Sequence, residues 1–178
     1  MNKLPKRKNI RLKDYDYSSC GYYFITICTQ NRQSLFWKNI TDVLDAYKRF
    51  NNVGADIIRP HLSECGKTVD RAINEIKTHY PYVTVDEYAI MPDHIHLILK
   101  IVNNDEYGRM ISAPTLKPVM TIIGQMKRWV SKEIGFSVWQ KSYYEHIIRD
   151  EKDYLEKAEY IMNNPLKYLI DKTTPDAE

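Results

Sequence analysis

Apolar and polar positions alternate in two tempos along this chain, and the changes of tempo mark out its elements. Tyr22 to Thr29 is a β-prone run that ends at a polar Gln-Asn-Arg-Gln-Ser turn. From about Leu62 to His79 the apolar residues Val69, Ala72, Ile73 and Ile76 recur at helical spacing, with Gly66 weakening the first turn. A shorter helix is predicted from Asp42 to about Phe50. Tyr82 to Met91 and His94 to Ile101 read as strands, and the tight Met91-Pro92-Asp93 connection makes them an antiparallel hairpin. A polar loop, Asn103 to Pro114, leads to a long amphipathic helix carrying Leu116, Val119, Met120, Ile123, Val130 and Ile134, stopped near Gly135. Val138 to Ile148 holds a strand with a Tyr-Tyr-Glu-His-Ile-Ile core. Asp150 then caps a last helix that is expected to run until Pro165 blocks it. The order strand, helix, strand, strand, helix, strand, helix predicts an α+β fold: a ferredoxin-like antiparallel sheet sandwiched with helices, with one helix added.

Within His94-Ile95-His96-Leu97-Ile98-Leu99 the strand period of two puts both histidines on one face and Ile95, Leu97, Leu99 and Ile101 on the other. Two imidazoles so placed can bind one divalent metal, with a third ligand from elsewhere and positions left open for water and substrate. The apolar face would hold the strand, and so the ligands, rigid. By itself a His-x-His pair is a short motif that also occurs on ordinary strand faces.

The last helix adds a second candidate. Tyr154, Leu155, Ala158, Ile161 and Met162 form one apolar stripe. At ~100° per residue, Tyr160 falls roughly 150° from the middle of that stripe, with Asn164 one turn later on the same face. Core packing does not ask for a tyrosine there. If this face meets the histidine face, Tyr160 can aim its oxygen at a metal-bound phosphate and Asn164 can supply an oxygen ligand; Tyr154, inside the stripe, reads as core.

Charge supports a polyanionic partner. The net charge is only +3, but Lys3, Lys6, Arg7, Lys8, Arg11 and Lys13 precede the first acid, and Lys117, Lys127, Arg128 and Lys132 gather on the long helix. Such clusters suit phosphate backbones. Trp139, Tyr143 and Tyr144 are candidates for stacking on unpaired bases. The length fits a single domain over 1–178, with a basic arm at about 1–14 and a short tail at about 168–178. No apolar run is long enough for a membrane span, and the basic start lacks the apolar stretch of a secretory signal. Cys20, Cys28 and Cys65 are odd in number and form no C-x-x-C pair, so a reduced, cytoplasmic setting is expected, with the cysteines acting as small apolar side chains.

Four segments together resemble the single-tyrosine HUH transposases, and among them the REP-associated tyrosine transposases. They are Tyr23-Phe24-Ile25-Thr26, Met91-Pro92-Asp93-His94-Ile95-His96-Leu97, Trp139 through Asp150, and Tyr160-Ile161-Met162-Asn163-Asn164-Pro165. They stand in the family order. The resemblance implies the HUH endonuclease fold, His94 and His96 as metal ligands, Tyr160 as nucleophile and Asn164 as further ligand. It implies Mg²⁺ or Mn²⁺, a hairpin-bearing single-stranded DNA partner, a 5′-phosphotyrosine intermediate, and action on DNA near the bacterial nucleoid as a monomer or homodimer. Asparagine at 164, where insertion-sequence transposases typically carry glutamine, leaves mobility of the chain's own element open. His146 is a possible base or partner, more often structural on such a strand. The competing expectations are a catalytically idle hairpin-DNA binder and a metal phosphodiesterase that uses water.

Overall fold

The computed structural model describes residues 16, 17, 19–38, 61–102 and 118–173. The expected helix at Asp42–Phe50, the Asn103–Pro114 loop, Leu116, Lys117 and the basic-arm residues Lys6, Arg7, Lys8 and Arg11 lie outside them. Four strands, β1 (Gly21–Cys28), β2 (Val83–Ile90), β3 (His94–Ile101) and β4 (Tyr144–Ile148), form one antiparallel sheet in the order β2-β3-β1-β4. The helices are α1 (Glu64–Asn74), α2 (Ile76–His79), α3 (Val119–Ile134) and α4 (Glu151–Thr173). This is the ferredoxin-like arrangement with α4 added, in the expected element order.

Each face of the sheet has its own apolar cluster. Tyr23, Ile25 and Ile27 of β1 join Ile95, Leu97 and Leu99 of β3 beneath α1 and α3, which contribute Val69, Ile73, Ile122 and Val130. On the opposite face a smaller cluster, Phe24, Ala89, Ile98 and Ile148, packs against Ala158 and Ile161 of α4. The strict alternation along β3 therefore buries both faces, and the histidines share theirs with the smaller cluster.

Local chemistry sets the helix ends. Ser63 caps α1, its hydroxyl oxygen accepting from the Gly66 N–H at 3.0 Å. Gly66, which reads in sequence as a weakness, is required: a Cβ there would overlap the Phe36 carbonyl oxygen. α3 ends where Gly135 turns left-handed at φ 89°. Asp150 caps α4 by accepting from the Asp153 N–H at 2.8 Å.

Four sequence expectations are corrected. Met120 is exposed on α3, whose buried face instead adds Ile122 and Met126. Leu155 and Met162 are 57% and 59% exposed, so the buried stripe of α4 is narrower than the apolar pattern. Helix α4 also runs through Pro165 to Thr173, so residues 168–173 are helix and not tail. Proline there removes one intrahelical hydrogen bond. The turns beyond it are held by burial of Leu169 and by Tyr168, whose ring meets Trp37 edge-on at 5.5 Å. The three cysteines are free, and Cys20 is exposed where an apolar role was expected.

Candidate active site

Strand register assembles the site. In the β1–β3 ladder Cys28 pairs with His94 and Thr26 with His96; in the β1–β4 ladder Thr26 pairs with Tyr144. Paired residues of neighbouring strands face the same side, so these side chains stand together on the α4 face. They line a cleft of about 730 Å³, closed on its other side by Glu156, Lys157, Tyr160 and Asn164 of α4. The sheet and the last helix thus bring His94, His96, Tyr144, Tyr160 and Asn164 together.

The histidines point at one spot. Their Nε2 atoms are 3.0 Å apart. His94 Nδ1 lies 2.6 Å from Asp93 Oδ1, and His96 Nδ1 lies 2.8 Å from Thr26 Oγ1. A carboxylate only accepts, so His94 Nδ1 carries the proton and its Nε2 presents a lone pair. The Thr26 hydroxyl both donates and accepts. It can therefore hold His96 with a proton on Nε2 directed at His94, or with that lone pair turned to a cation. Burial lowers the pKa of His94, only partly offset by Asp93, so this contact is a neutral imidazole on a carboxylate and not an ion pair. Burial, then the neighbouring His94 and Arg32, push His96 down to about 3. Both rings are neutral at ordinary pH, as metal ligands must be.

A divalent metal fits this donor set. Its two imidazole nitrogens lie 3.0 Å apart, close enough to share one ion, and each outer nitrogen has a partner that fixes its ring. Among the described residues no third His, Cys, Asp or Glu joins the pair. The amide of Asn164, half-buried on the wall of the same cleft, is the remaining oxygen donor of the sequence reading.

Tyr160 is 49% exposed, and its ring meets His96 edge-on with centroids 5.1 Å apart. Phe24 stacks on His96 at 5.6 Å and touches Tyr160 at 6.1 Å, wedging both rings. Tyr160 lies ~100° round α4 from buried Ile161 and ~160° from buried Ala158, well off the docking face, as the spacing in the sequence predicts. Tyr154 is elsewhere: it packs edge-on against Tyr22 at 5.1 Å, and burial, then Asp86 and Glu87, raise its pKa.

The family profile described as "Transposase IS200 like" matches residues 17–164. The chain belongs to that family. It is 37% identical to an uncharacterized protein of Haemophilus influenzae over 97% of this chain and 96% of that protein. It is 28% identical to a candidate REP-associated tyrosine transposase of the same organism, over 86% of this chain and 74% of that one. A solved structure of a REP-associated tyrosine transposase bound to a REP hairpin has the same fold, with a TM-score of 0.56 at 19% identity, covering 89% of this chain and 74% of that one. The single-tyrosine transposase resemblance in the sequence is therefore correct, and the chain is a transposase-family protein. No helix among the described residues is long and apolar enough to cross a membrane.

The remaining candidates scatter. Tyr144 is 46% exposed in the cleft. Arg128 is exposed on α3. Lys127 is half-buried, its ammonium donating to the Gln140 carbonyl at 2.8 Å and lying 5.8 Å from the Tyr143 ring. It therefore clamps the segment before β4. Trp139 is buried, 5.3 Å from Phe36, and is core. His146 Nε2 bonds Asp153 at 2.7 Å, pinning the start of α4 to β4 outside the cleft. Sequence reasoning missed Thr26, Asp93, Arg32 and Lys157. Asp93 had a local signal, directly preceding His94; Thr26 needed the β1–β3 register.

Proposed function

We propose that this chain cuts and rejoins single-stranded, hairpin-bearing DNA by transesterification, with Tyr160 as nucleophile. The observation that carries this reading is the Tyr160 ring packed against His96, in one cleft with His94 and Asn164. The phenolic oxygen forms a bond to phosphorus as the bond to the 3′ oxygen breaks. The phenolic proton is lost, and the departing oxygen takes up a proton as a 3′-OH. The product is a 5′-phosphotyrosine that keeps the phosphoester energy, so a 3′-OH can reverse the attack and join strands. A divalent cation held by His94, His96 and Asn164, Mg²⁺ or Mn²⁺, would supply charge neutralisation at the phosphate. Phe24 and Ile161 fix the approach of the tyrosine, and Thr26 and Asp93 fix the two imidazoles. One chain contains the tyrosine and both histidines in a single cleft, which supports attack in cis. The REP hairpin bound to the structural relative supports hairpin DNA as the substrate class.

The test is a denaturing gel of protein incubated with Mn²⁺ and labelled hairpin DNA carrying a single-stranded flank. A covalent protein–DNA band, lost in Tyr160→Phe and in His96→Ala, is expected. Cleavage without adduct would show water as the nucleophile, and binding with neither product would show an idle binder; either result refutes the proposal.

A further inference from the structure

We propose that Arg32 is a catalytic residue of this site, its guanidinium pairing with a non-bridging oxygen of the phosphate under attack; this rests on the transesterification reading above. Arg32 ends the short helical turn Gln30–Arg32 that follows β1, and it lines the cleft with His94, His96 and Tyr160. Its side chain is 54% exposed. The hydrogen bond its guanidinium makes among the described residues is a single one, from one terminal nitrogen to Asp93 Oδ2 at 3.3 Å. A guanidinium has five donors in a planar fork suited to phosphate, and one long contact leaves most of that fork for another partner. The acid it touches is itself shared, since Asp93 Oδ1 already serves His94.

The backbone shows why the position is not a casual one. Asn31 and Arg32 both hold positive φ, 54° and 56°. Asparagine tolerates that region and glycine prefers it; arginine gains nothing there from the fold. The turn is nevertheless fixed. Thr29 is fully buried, its N–H donates to the Asp93 carbonyl at 2.8 Å, and its hydroxyl lies within hydrogen-bond reach of the Gln33 and Asp93 carbonyls. The residue carrying the cation is thus tied to the residue immediately before ligand His94, which sets its distance from the histidine pair. Lys157, the cation on the opposite wall, already faces Asp153 at 3.6 Å. Arg32 is paired too, with Asp93 at 3.3 Å, but that contact uses one nitrogen of its fork, so charge that builds on the phosphate oxygens during attack still meets free guanidinium donors.

The experiment compares wild type with Arg32→Ala, Arg32→Lys and Arg32→Gly, following covalent adduct formation in single turnover with Mn²⁺. Two hairpin substrates are used: one normal, one with a neutral methylphosphonate at the scissile position. Arg32→Ala is expected to slow adduct formation ~10²–10³-fold on the normal substrate, with Arg32→Lys recovering part of the loss. On the methylphosphonate the two proteins should differ by less than about tenfold, because the anionic partner has been removed. Mn²⁺ affinity of the free protein should stay within about threefold of wild type, and Arg32→Gly, which suits the positive φ, should fold normally and be as slow as Arg32→Ala. An unaffected Arg32→Ala rate beside a normal wild-type adduct overturns this inference alone. Equal defects on both substrates, or lost Mn²⁺ affinity, overturn it by making Arg32 a support for Asp93. A wild-type protein with no adduct at all sinks the transesterification reading, and this one with it.

Discussion

Replacing Thr26 by valine tests whether the proposed metal site is built from outside its histidines. The change keeps a β-branched shape on β1 and removes only the hydroxyl that lies 2.8 Å from His96 Nδ1. With metal on Nε2, Nδ1 must carry a proton, and after the substitution that N–H has no acceptor. The ring is 4% exposed, so water does not replace the lost partner. An unsatisfied buried donor costs ~1–3 kcal/mol. The metal-free protein also loses a bond, because there the hydroxyl donates to Nδ1; the net loss belongs at the lower end of the 10–100-fold range usual for such outer partners. A Mn²⁺ affinity 10–30-fold weaker, about 1.4–2 kcal/mol, is expected. Calorimetric titration of the free protein measures it without reference to DNA, and Thr26→Ser should restore most of the affinity. A folded Thr26→Val protein that binds Mn²⁺ within threefold of wild type would show that the hydroxyl does not orient the ligand.

Three further outcomes are expected. Gly66→Ala forces a methyl into the Phe36 carbonyl and should cost ~1–3 kcal/mol in urea unfolding, which a loss under 0.5 would contradict. Leu169→Ala, in the fully buried anchor beyond Pro165, should cost ~2–5 kcal/mol and reduce helical signal; unchanged stability would mean that this end of α4 is not held by packing. Stability should also fall with acid before the carboxylates titrate. His96 has a folded pKa of about 3, below its unfolded value, so the unfolded chain binds the extra proton and stability is full above pH ~6.5 and declines as pH drops toward 3. Between pH 7 and pH 5 this amounts to about 2 kcal/mol from His96, with His94 adding in the same direction. His96→Asn should flatten that slope, and an identical slope in the variant would place the proton uptake elsewhere.

What the sequence made legible follows from how local each feature is. The alternation of β3 placed both histidines on one face, because a strand's period needs no partner to be read. The position of Tyr160 off the apolar stripe was legible in the same way, although Leu155 and Met162, both exposed, widened the stripe misleadingly. Apolar residues on a helix declare a core only where something covers them, and the small cluster under α4 is too narrow to reach either one. Pro165 misled for a related reason. Its breaking tendency is intrinsic, whereas the contacts that overrule it come from Trp37, more than a hundred residues earlier. Thr26 and Arg32 were invisible because one depends on strand register and the other on a positive φ, and neither leaves a periodic trace.

The site owes its precision to a division of labour between the two faces of one sheet. β3 is anchored by Ile95, Leu97, Leu99 and Ile101 in the larger cluster, so its other face can carry two neutral histidines whose burial brings little apolar gain. α4 repeats the device at helical spacing: Ala158 and Ile161 dock it, and a step round the helix presents Tyr160. The angular offset between the docking residues and Tyr160 is therefore fixed by the helix itself. Sliding α4 along the sheet would move the tyrosine and the packing together, and its start is pinned by His146 on Asp153. The position of Tyr160 relative to the histidines is then set by three contacts of different kinds — apolar docking, an aromatic wedge from Phe24 and a hydrogen-bonded pin. Loss of the docking or of the pin loosens the tyrosine without touching either histidine, which is why substitutions at Ala158 or His146 belong with the site although neither residue lines it.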